Sequence, residues 1–322
     1  MEDIFSRRIR YLRLSITPAC AMRCVYCRPE VYQGGGLGDF LSVEEMARLV
    51  AYLVEQHGLR KVRVTGGEPT SRPDVVEIVG RLAGICGLEQ LVMTTNGLTL
   101  ARQAMAFKKA GLQRINVSVD SLNAARFAKI TGVAGLERVL RGIEAAREAG
   151  LSPVKINCVV VRGENEDELA DLLLWAAAEE LEIRFIELMP MGPLRDRWSQ
   201  RYVTEGQMRH HLNRVVEEWR AVEYGSASAR KYEARLRNGG MAKVGFITAM
   251  SQPFCGQCDR LRITAEGEIY PCLMDEPRGN IMPAIRPVFD EEHLEAILRK
   301  CLSVKAREHP AYGFAVMTQL GG

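Results

Sequence analysis

Three cysteines, Cys20, Cys24 and Cys27, stand in the short stretch Thr17-Pro18-Ala19-Cys20-Ala21-Met22-Arg23-Cys24-Val25-Tyr26-Cys27, directly after an apolar run at 9–16. No fourth cysteine lies nearby. The count constrains the chain more than the spacing does. A cubane iron-sulfur cluster normally takes four thiolates, so three leave one iron with an open position, the condition that makes a metal site catalytic rather than structural. A small chelating ligand could bind there. Two other readings stay open on these residues: a zinc site with a further ligand from elsewhere, and three buried free thiols.

A chain of 322 residues suits one large α/β domain or a barrel with an appendage. Short β-branched runs at 9–16, 61–65, 90–95, 114–120, 154–161 and 183–189 alternate with helix-like segments at 43–57, 74–83, 100–110, 135–149 and 165–179. Ser42 with Glu45 three residues on predicts a capping box for the first helix. Six such units predict a parallel barrel that is incomplete, since the closed form needs eight. After Pro190 the rhythm fails. The expected division is a partial barrel over 1–190 and an irregular α+β segment over 191–322 that closes it. Residues 220–240, with Gly225, Ser226, Ser228 and Asn238-Gly239-Gly240, read as a flexible connection or hairpin.

The formal charge is +3, from 43 basic and 40 acidic residues without a long like-charge block, so bulk electrostatics gives no case for a nucleic-acid partner. No apolar run approaches a membrane span and the first thirty residues lack a signal-peptide core, which predicts a cytoplasmic protein with no membrane partner. Nine cysteines in such a chain argue for metal ligation in a reducing compartment.

In a parallel barrel, ligands sit at the carboxyl ends of the strands, where the cysteine loop also lies. The second strand ends in Gly66-Gly67-Glu68-Pro69, whose glycines let backbone approach a ligand closely. Arg13, Arg63 and Lys155 sit among apolar strand residues and need partners. Either they pair with carboxylates such as Asp120 or Glu187, or they line the lumen and bind a polyanion such as a nucleoside triphosphate. A second triad, Cys255, Cys258 and Cys272, again has no fourth member, and a zinc ribbon competes with a second cluster here. Arg260 and Arg262 alternate at strand spacing and face one side. Cys86, Cys158 and Cys301 read as buried thiols.

The Cys-x3-Cys-x2-Cys loop, with an aromatic residue before the third cysteine, resembles the radical S-adenosylmethionine (SAM) superfamily. That resemblance implies a cluster on Cys20, Cys24 and Cys27 that binds SAM at its open iron, with SAM contacts from Tyr26, Gly67, Ser118 and Met189. Together with the Cys-Asp-Arg-Leu-Arg segment, Cys272 and the final Gly321-Gly322, the pattern is similar to the GTP 3′,8-cyclase family, that of molybdenum cofactor biosynthesis protein A, over the whole chain. This implies a second 4Fe-4S cluster on Cys255, Cys258 and Cys272, and GTP contacts from Arg13, Arg63, Thr94, Lys155, Arg260, Leu261 and Arg262. It places the terminal diglycine in the active site. It also implies a reductant protein for the cluster, cyclic pyranopterin monophosphate synthase as the next enzyme, and leaves a homodimer open. Ala19, Arg28 and Asp259 depart from the residues common in relatives, which bears on the cluster surroundings. A radical SAM enzyme acting on a peptide, and a non-catalytic zinc-binding protein, remain the alternative functions.

Overall fold

A computed structural model describes residues 1–27, 40–222, 228–313 and 317–320. Arg28, Gly225, Ser226, Gly321 and Gly322 lie outside the described residues. Six parallel strands, β1 (Tyr11–Ser15), β2 (Lys61–Thr65), β3 (Gln90–Thr95), β4 (Arg114–Ser118), β5 (Lys155–Val160) and β6 (Glu182–Glu187), lie side by side in chain order. They are joined through α1 (Val43–His57), α2 (Val75–Ala83), α3 (Leu100–Lys109), the pair α4 (Ala124–Thr131) and α5 (Leu136–Glu148), and α6 (Leu169–Ala178). The expected six-unit alternation is present, and α4 is an addition to it.

Local chemistry sets these elements. The Ser42 side chain accepts from the Glu45 amide while Glu45 accepts from the Ser42 amide, which closes the predicted capping box, and α1 stops where Gly58 turns left-handed at φ 63°. The Asn123 side chain caps α4 by accepting from the Arg126 amide at 3.0 Å. Helix α6 starts four residues later than 165 because that stretch has another task. Glu168 accepts from the amides of Leu122 and Asn123 and from the Ser121 hydroxyl, holding the loop after β4.

The remainder of the chain is α+β, as expected, and more regular than its sequence suggests. It carries the short helices α7 (Trp198–Arg201) and α8 (Glu205–Leu212), then β7 (Val216–Val222), β8 (Arg230–Leu236) and β9 (Met241–Ile247). It continues with β10 (Arg260–Ile263), β11 (Ile269–Tyr270), α9 (Met282–Ile285), α10 (Glu291–Ser303) and α11 (Met317–Leu320). Strands β7 and β8 form the hairpin read at 220–240. This segment extends the same sheet at both edges: β9 pairs parallel with β6, and β10 pairs parallel with β1. Among the described residues β1 and β6 do not pair with each other, so the barrel is open, as the count of six predicted.

Strand pleating sorts the side chains. Leu12, Leu14, Val62, Val64, Ile115, Val117, Ile156, Ile183 and Phe185 turn outward into the fully buried layer under the helices. The alternate residues, Arg13, Arg63, Thr94, Asn116, Asn157 and Arg184, line the lumen. At the far edge, Phe246 of β9 is fully buried and packs on Phe185, Trp219 and Tyr232 at centroid distances of 5.8–6.1 Å. Phe246→Ala is therefore expected to destabilise the protein by about 3–5 kcal/mol. Urea unfolding followed by circular dichroism measures it, and a cost below 1 kcal/mol would show that this cluster does not anchor β9.

Candidate active site

The cysteine loop leaves the carboxyl end of β1 and is gripped from two sides. From β2, the Gly67 amide donates to the Thr17 carbonyl at 2.6 Å and the Glu68 amide to that of Ala19 at 2.7 Å. A Cβ on Gly66 would fall 2.5 Å from the Thr17 carbonyl oxygen, and one on Gly67 would fall 2.4 Å from that of Pro18. The glycines expected to admit a ligand are thus required first by the loop's own backbone. From α4, the Thr131 and Ile130 carbonyls accept from the amides of Arg23 and Val25 at 2.7 and 3.0 Å. Beneath the loop Glu68 is buried and accepts from the Thr70 amide and hydroxyl, the Thr95 hydroxyl and the Asn96 amide at 2.6–3.0 Å. Burial still raises its carboxyl pKa, against these bonds.

Cys20, Cys24 and Cys27 wall one cavity with Tyr26, Gly67, Ser118, Asp120 and Asn157. Tyr26 donates to Asp120 at 2.6 Å. Burial raises Asp120 to about 6, although the bonds from Tyr26 and the Val159 amide oppose the shift. Burial likewise drives the Cys24 thiol pKa up, with Asp120 and the two other cysteines adding to it, and a positive metal centre would favour its thiolate. The donor set fits an iron-sulfur cluster. Asn157 presents a buried side-chain oxygen without a hydrogen-bond partner to the junction with the neighbouring cavity. Among the described residues no three His, Cys, Asp or Glu side chains gather closely enough to hold a single ion, which is what a tetrahedral zinc site would need.

The second triad lines the central cavity with Arg13, Arg63, Thr94, Met189, Arg260 and Arg262. Its backbone is held by buried cations. Arg7 donates to the Cys255 carbonyl at 2.7 Å, and the Lys305 ammonium donates to the carbonyls of Arg260 and Pro271, tying the segments that carry Cys258 and Cys272. The two cavities share Tyr26, Thr94, Asn157, Val159, Ile186 and Met317. Met189 thus stands on the wall of the second triad's cavity.

Register then aligns like charges. Arg262, Arg13 and Arg63 are direct neighbours on β10, β1 and β2. Arg63 donates to the Tyr11 hydroxyl at 2.5 Å and to Thr94 at 2.8 Å, and Arg262 donates to the Leu320 carbonyl at 3.0 Å. Burial lowers the Arg13 pKa well below the usual value, with Arg262, Arg63 and Arg260 pressing the same way, and brings Arg262 to about 10. The carboxylates proposed as partners are engaged elsewhere: Asp120 with Tyr26, and Glu187 with the amides of Glu205, Met250 and Ser251. Burial also raises Tyr11, but Arg63, Arg13, Lys61 and the Arg63 hydrogen bond outweigh it and bring the phenol down to about 7.

Two predicted contacts stand apart. Lys155 pairs with Glu182 at 2.7 Å and lines a basic chamber at the amino ends of the strands, with Lys61, Arg114 and Arg184. Burial and Arg184 lower Lys155 to about 8, against Glu182. The chamber and the central cavity, about 470 and 200 Å³, share Tyr11, Arg63, Asn116, Arg184, Ser228 and Arg260, so the two adjoin. Leu261 turns into the core, fully buried, which leaves only its backbone for a ligand. The sequence reading passed over Lys61, Arg184 and Asn157, although they carry the same signal, a polar residue at lumen parity. Cys158 and Cys301 are buried as expected, whereas Cys86 is exposed because it sits in the loop after α2.

Residues 14–176 match the Radical SAM superfamily and residues 181–311 match Molybdenum Cofactor Synthesis C. The chain is 40% identical to the GTP 3′,8-cyclase of Moorella thermoacetica, with 100% of both chains covered. It is 40% identical to that of Pseudomonas putida over 95% of this chain and 92% of the relative. It is 39% identical to Homo sapiens molybdenum cofactor biosynthesis protein 1, over 96% of this chain and 48% of that protein. Among solved structures, Streptococcus suis SuiB bound to the precursor peptide SuiA superposes with a TM-score of 0.61 at 12% identity, over 97% of this chain and 76% of that one, a likeness of fold. The chain belongs to the GTP 3′,8-cyclase family of the radical SAM superfamily.

Proposed function

We propose that this protein converts GTP to (8S)-3′,8-cyclo-7,8-dihydroguanosine 5′-triphosphate, the first step of molybdenum cofactor biosynthesis. One observation carries the reading: a cavity lined both by Cys255, Cys258 and Cys272 and by a row of arginines adjoins the cavity of Cys20, Cys24 and Cys27, with which it shares six lining residues. In this reading residues 1–190 hold SAM and its cluster on the first triad, and residues 191–322 hold a second 4Fe-4S cluster on the other. Tyr26, Gly67, Ser118 and Met189 are the SAM contacts. When bound, the first cluster and SAM supply one electron and a 5′-deoxyadenosyl radical that takes the hydrogen from C3′ of GTP.

The chain's own residues do the rest by position. Arg13, Arg63, Arg260 and Arg262, with Lys155 beyond them, neutralise the triphosphate, arginine by paired donors and lysine as a point charge. Thr94 and Asn157 stand where the two cavities meet, so the ribose is the part of the substrate nearest the SAM side. Val159 and Ile186 give that junction an apolar side, and Leu188 and Met189 extend it into the central cavity, which limits water around the ribose. Gly321 and Gly322 follow Leu320, whose carbonyl already meets Arg262, which supports an active-site tail. A reductant protein supplies electrons and cyclic pyranopterin monophosphate synthase takes the product. No helix among the described residues is long and apolar enough to cross a membrane, and cluster ligation by cysteines suits a reducing, cytoplasmic site of action. The reading with a peptide substrate lacks a counterpart for this density of buried cations.

Anaerobic incubation of cluster-reconstituted protein with SAM, a strong reductant and GTP should yield 5′-deoxyadenosine and a cyclic triphosphate, both dependent on GTP, by mass spectrometry. Neither product from protein holding both clusters would sink the proposal. Arg63→Ala, Arg13→Ala and Lys155→Ala should each weaken GTP binding about tenfold to a hundredfold, since a hydrogen bond to a charged group contributes roughly 1.5–3 kcal/mol. Unchanged affinity in all three by calorimetry would redirect the search to another substrate. Gly67→Ala should displace the cysteine loop and halve iron and sulfide per chain. A full complement of both would show that the glycine grip is dispensable.

A further inference from the structure

Tyr11 opens β1 at the level where the central cavity meets the basic chamber, and lines both. Among the described residues the charged groups around it are mostly positive, and Glu89, at the chamber's edge, pairs with Arg60. Arg13 lies two residues on along β1, Lys61 and Arg63 come from β2, Arg114 from β4, and Arg260 and Arg262 from β10; a second acid on this side is Asp259. Arg63 donates to the Tyr11 oxygen at 2.5 Å, the Lys61 ammonium stands 4.4 Å from the ring centroid, and the Arg260 guanidinium stands 5.9 Å from it. Glu182, a further carboxylate of the chamber, is held down to about 2, where the pull of Arg184 and Lys155 outweighs burial, and both bind it directly. The phenol oxygen is therefore the group positioned to balance Arg63.

We propose that Tyr11 is a proton-linked positioning residue for the substrate's polyphosphate: its oxygen holds Arg63 in the orientation that phosphate needs, and it takes up a proton as the phosphate arrives, then donates it in a hydrogen bond to a phosphate oxygen. The inference rests on the GTP reading given above. Two anions cannot share Arg63 in a buried site without repulsion, so binding of the polyanion favours the neutral phenol. A free phenol poised near neutrality supplies the titration, and its sign follows from linkage. Below pH 7 the phenol is already protonated and binding needs no proton; above it the proton must be taken up, so affinity falls as pH rises. Tyr11→Phe keeps the ring against Lys61 and removes the titrating oxygen.

The test compares GTP dissociation constants of wild-type and Tyr11→Phe protein, both cluster-reconstituted and without reductant so that nothing turns over, between pH 6 and pH 8. The ratio of the wild-type to the variant constant should rise by roughly tenfold across this range, the factor for a group that titrates near 7 in the free protein and stays protonated in the complex. Lys61 and Lys155 also titrate near 8 and weaken binding in both proteins. Loss of Tyr11 lowers Lys61 further and moves the ratio the opposite way, so it does not imitate the expected result. A ratio independent of pH, whatever its size, would reduce Tyr11 to packing and overturn the proposal. Failure of the wild-type protein to bind GTP at any pH would instead overturn the substrate assignment.

Discussion

Repulsion among buried arginines is the constraint around which the lumen is arranged. Parallel pairing of β10, β1 and β2 in the observed register makes Arg262, Arg13 and Arg63 lateral neighbours, an arrangement that disfavours the sheet. Removing these cations from water adds to the cost. The protein offsets it in part with dipoles and one phenol, through Thr94, Tyr11 and the Leu320 carbonyl. The unresolved positive potential is then available to an anionic ligand, which is how sites arranged for binding trade against stability.

The two cysteine groups are secured by different means. The first is held by backbone contacts from β2 and α4, which depend on glycines with no room for a side chain. The second is held by side chains that reach in from elsewhere, Arg7 and Lys305, each satisfying carbonyls that would otherwise be buried without partners. The difference follows from secondary structure. The first loop meets amides and carbonyls from the segment after β2 and from α4, whereas the second group flanks the short strands β10 and β11.

Much of this was legible in the sequence. The six strands appear where β-branched runs predict them, and Ser42 caps α1 through the box its spacing announces. The cysteine triads and the alternating cations stand out because spacing alone determines which residues share a loop or a face. What sequence could not supply was long-range pairing. Nothing local says that β9 and β10 join opposite edges of one sheet, or that Lys155 sits beyond the central cavity with Glu182 as its partner. Helix α4 escaped because eight residues give too little periodicity. The glycines of 66–67 were assigned to a ligand because sequence does not reveal which backbone will press against them.

The pairing of β10 with β1 also sets a length. The first triad follows the carboxyl end of β1, while Cys255 and Cys258 precede the amino end of its parallel partner, so the two sites face each other across one strand. At about 3.3 Å per residue, the five residues of β1 separate them by roughly 15 Å. The hydrogen bonds of the β1–β10 ladder fix the strand part of this gauge, and the backbone grip on the cysteine loop fixes the rest. A slip of one residue would turn Arg260 and Arg262 away from the lumen and present Leu261 and Ile263 in their place. The spacing between the two cysteine groups therefore follows the register of the sheet, which changes only in whole residues.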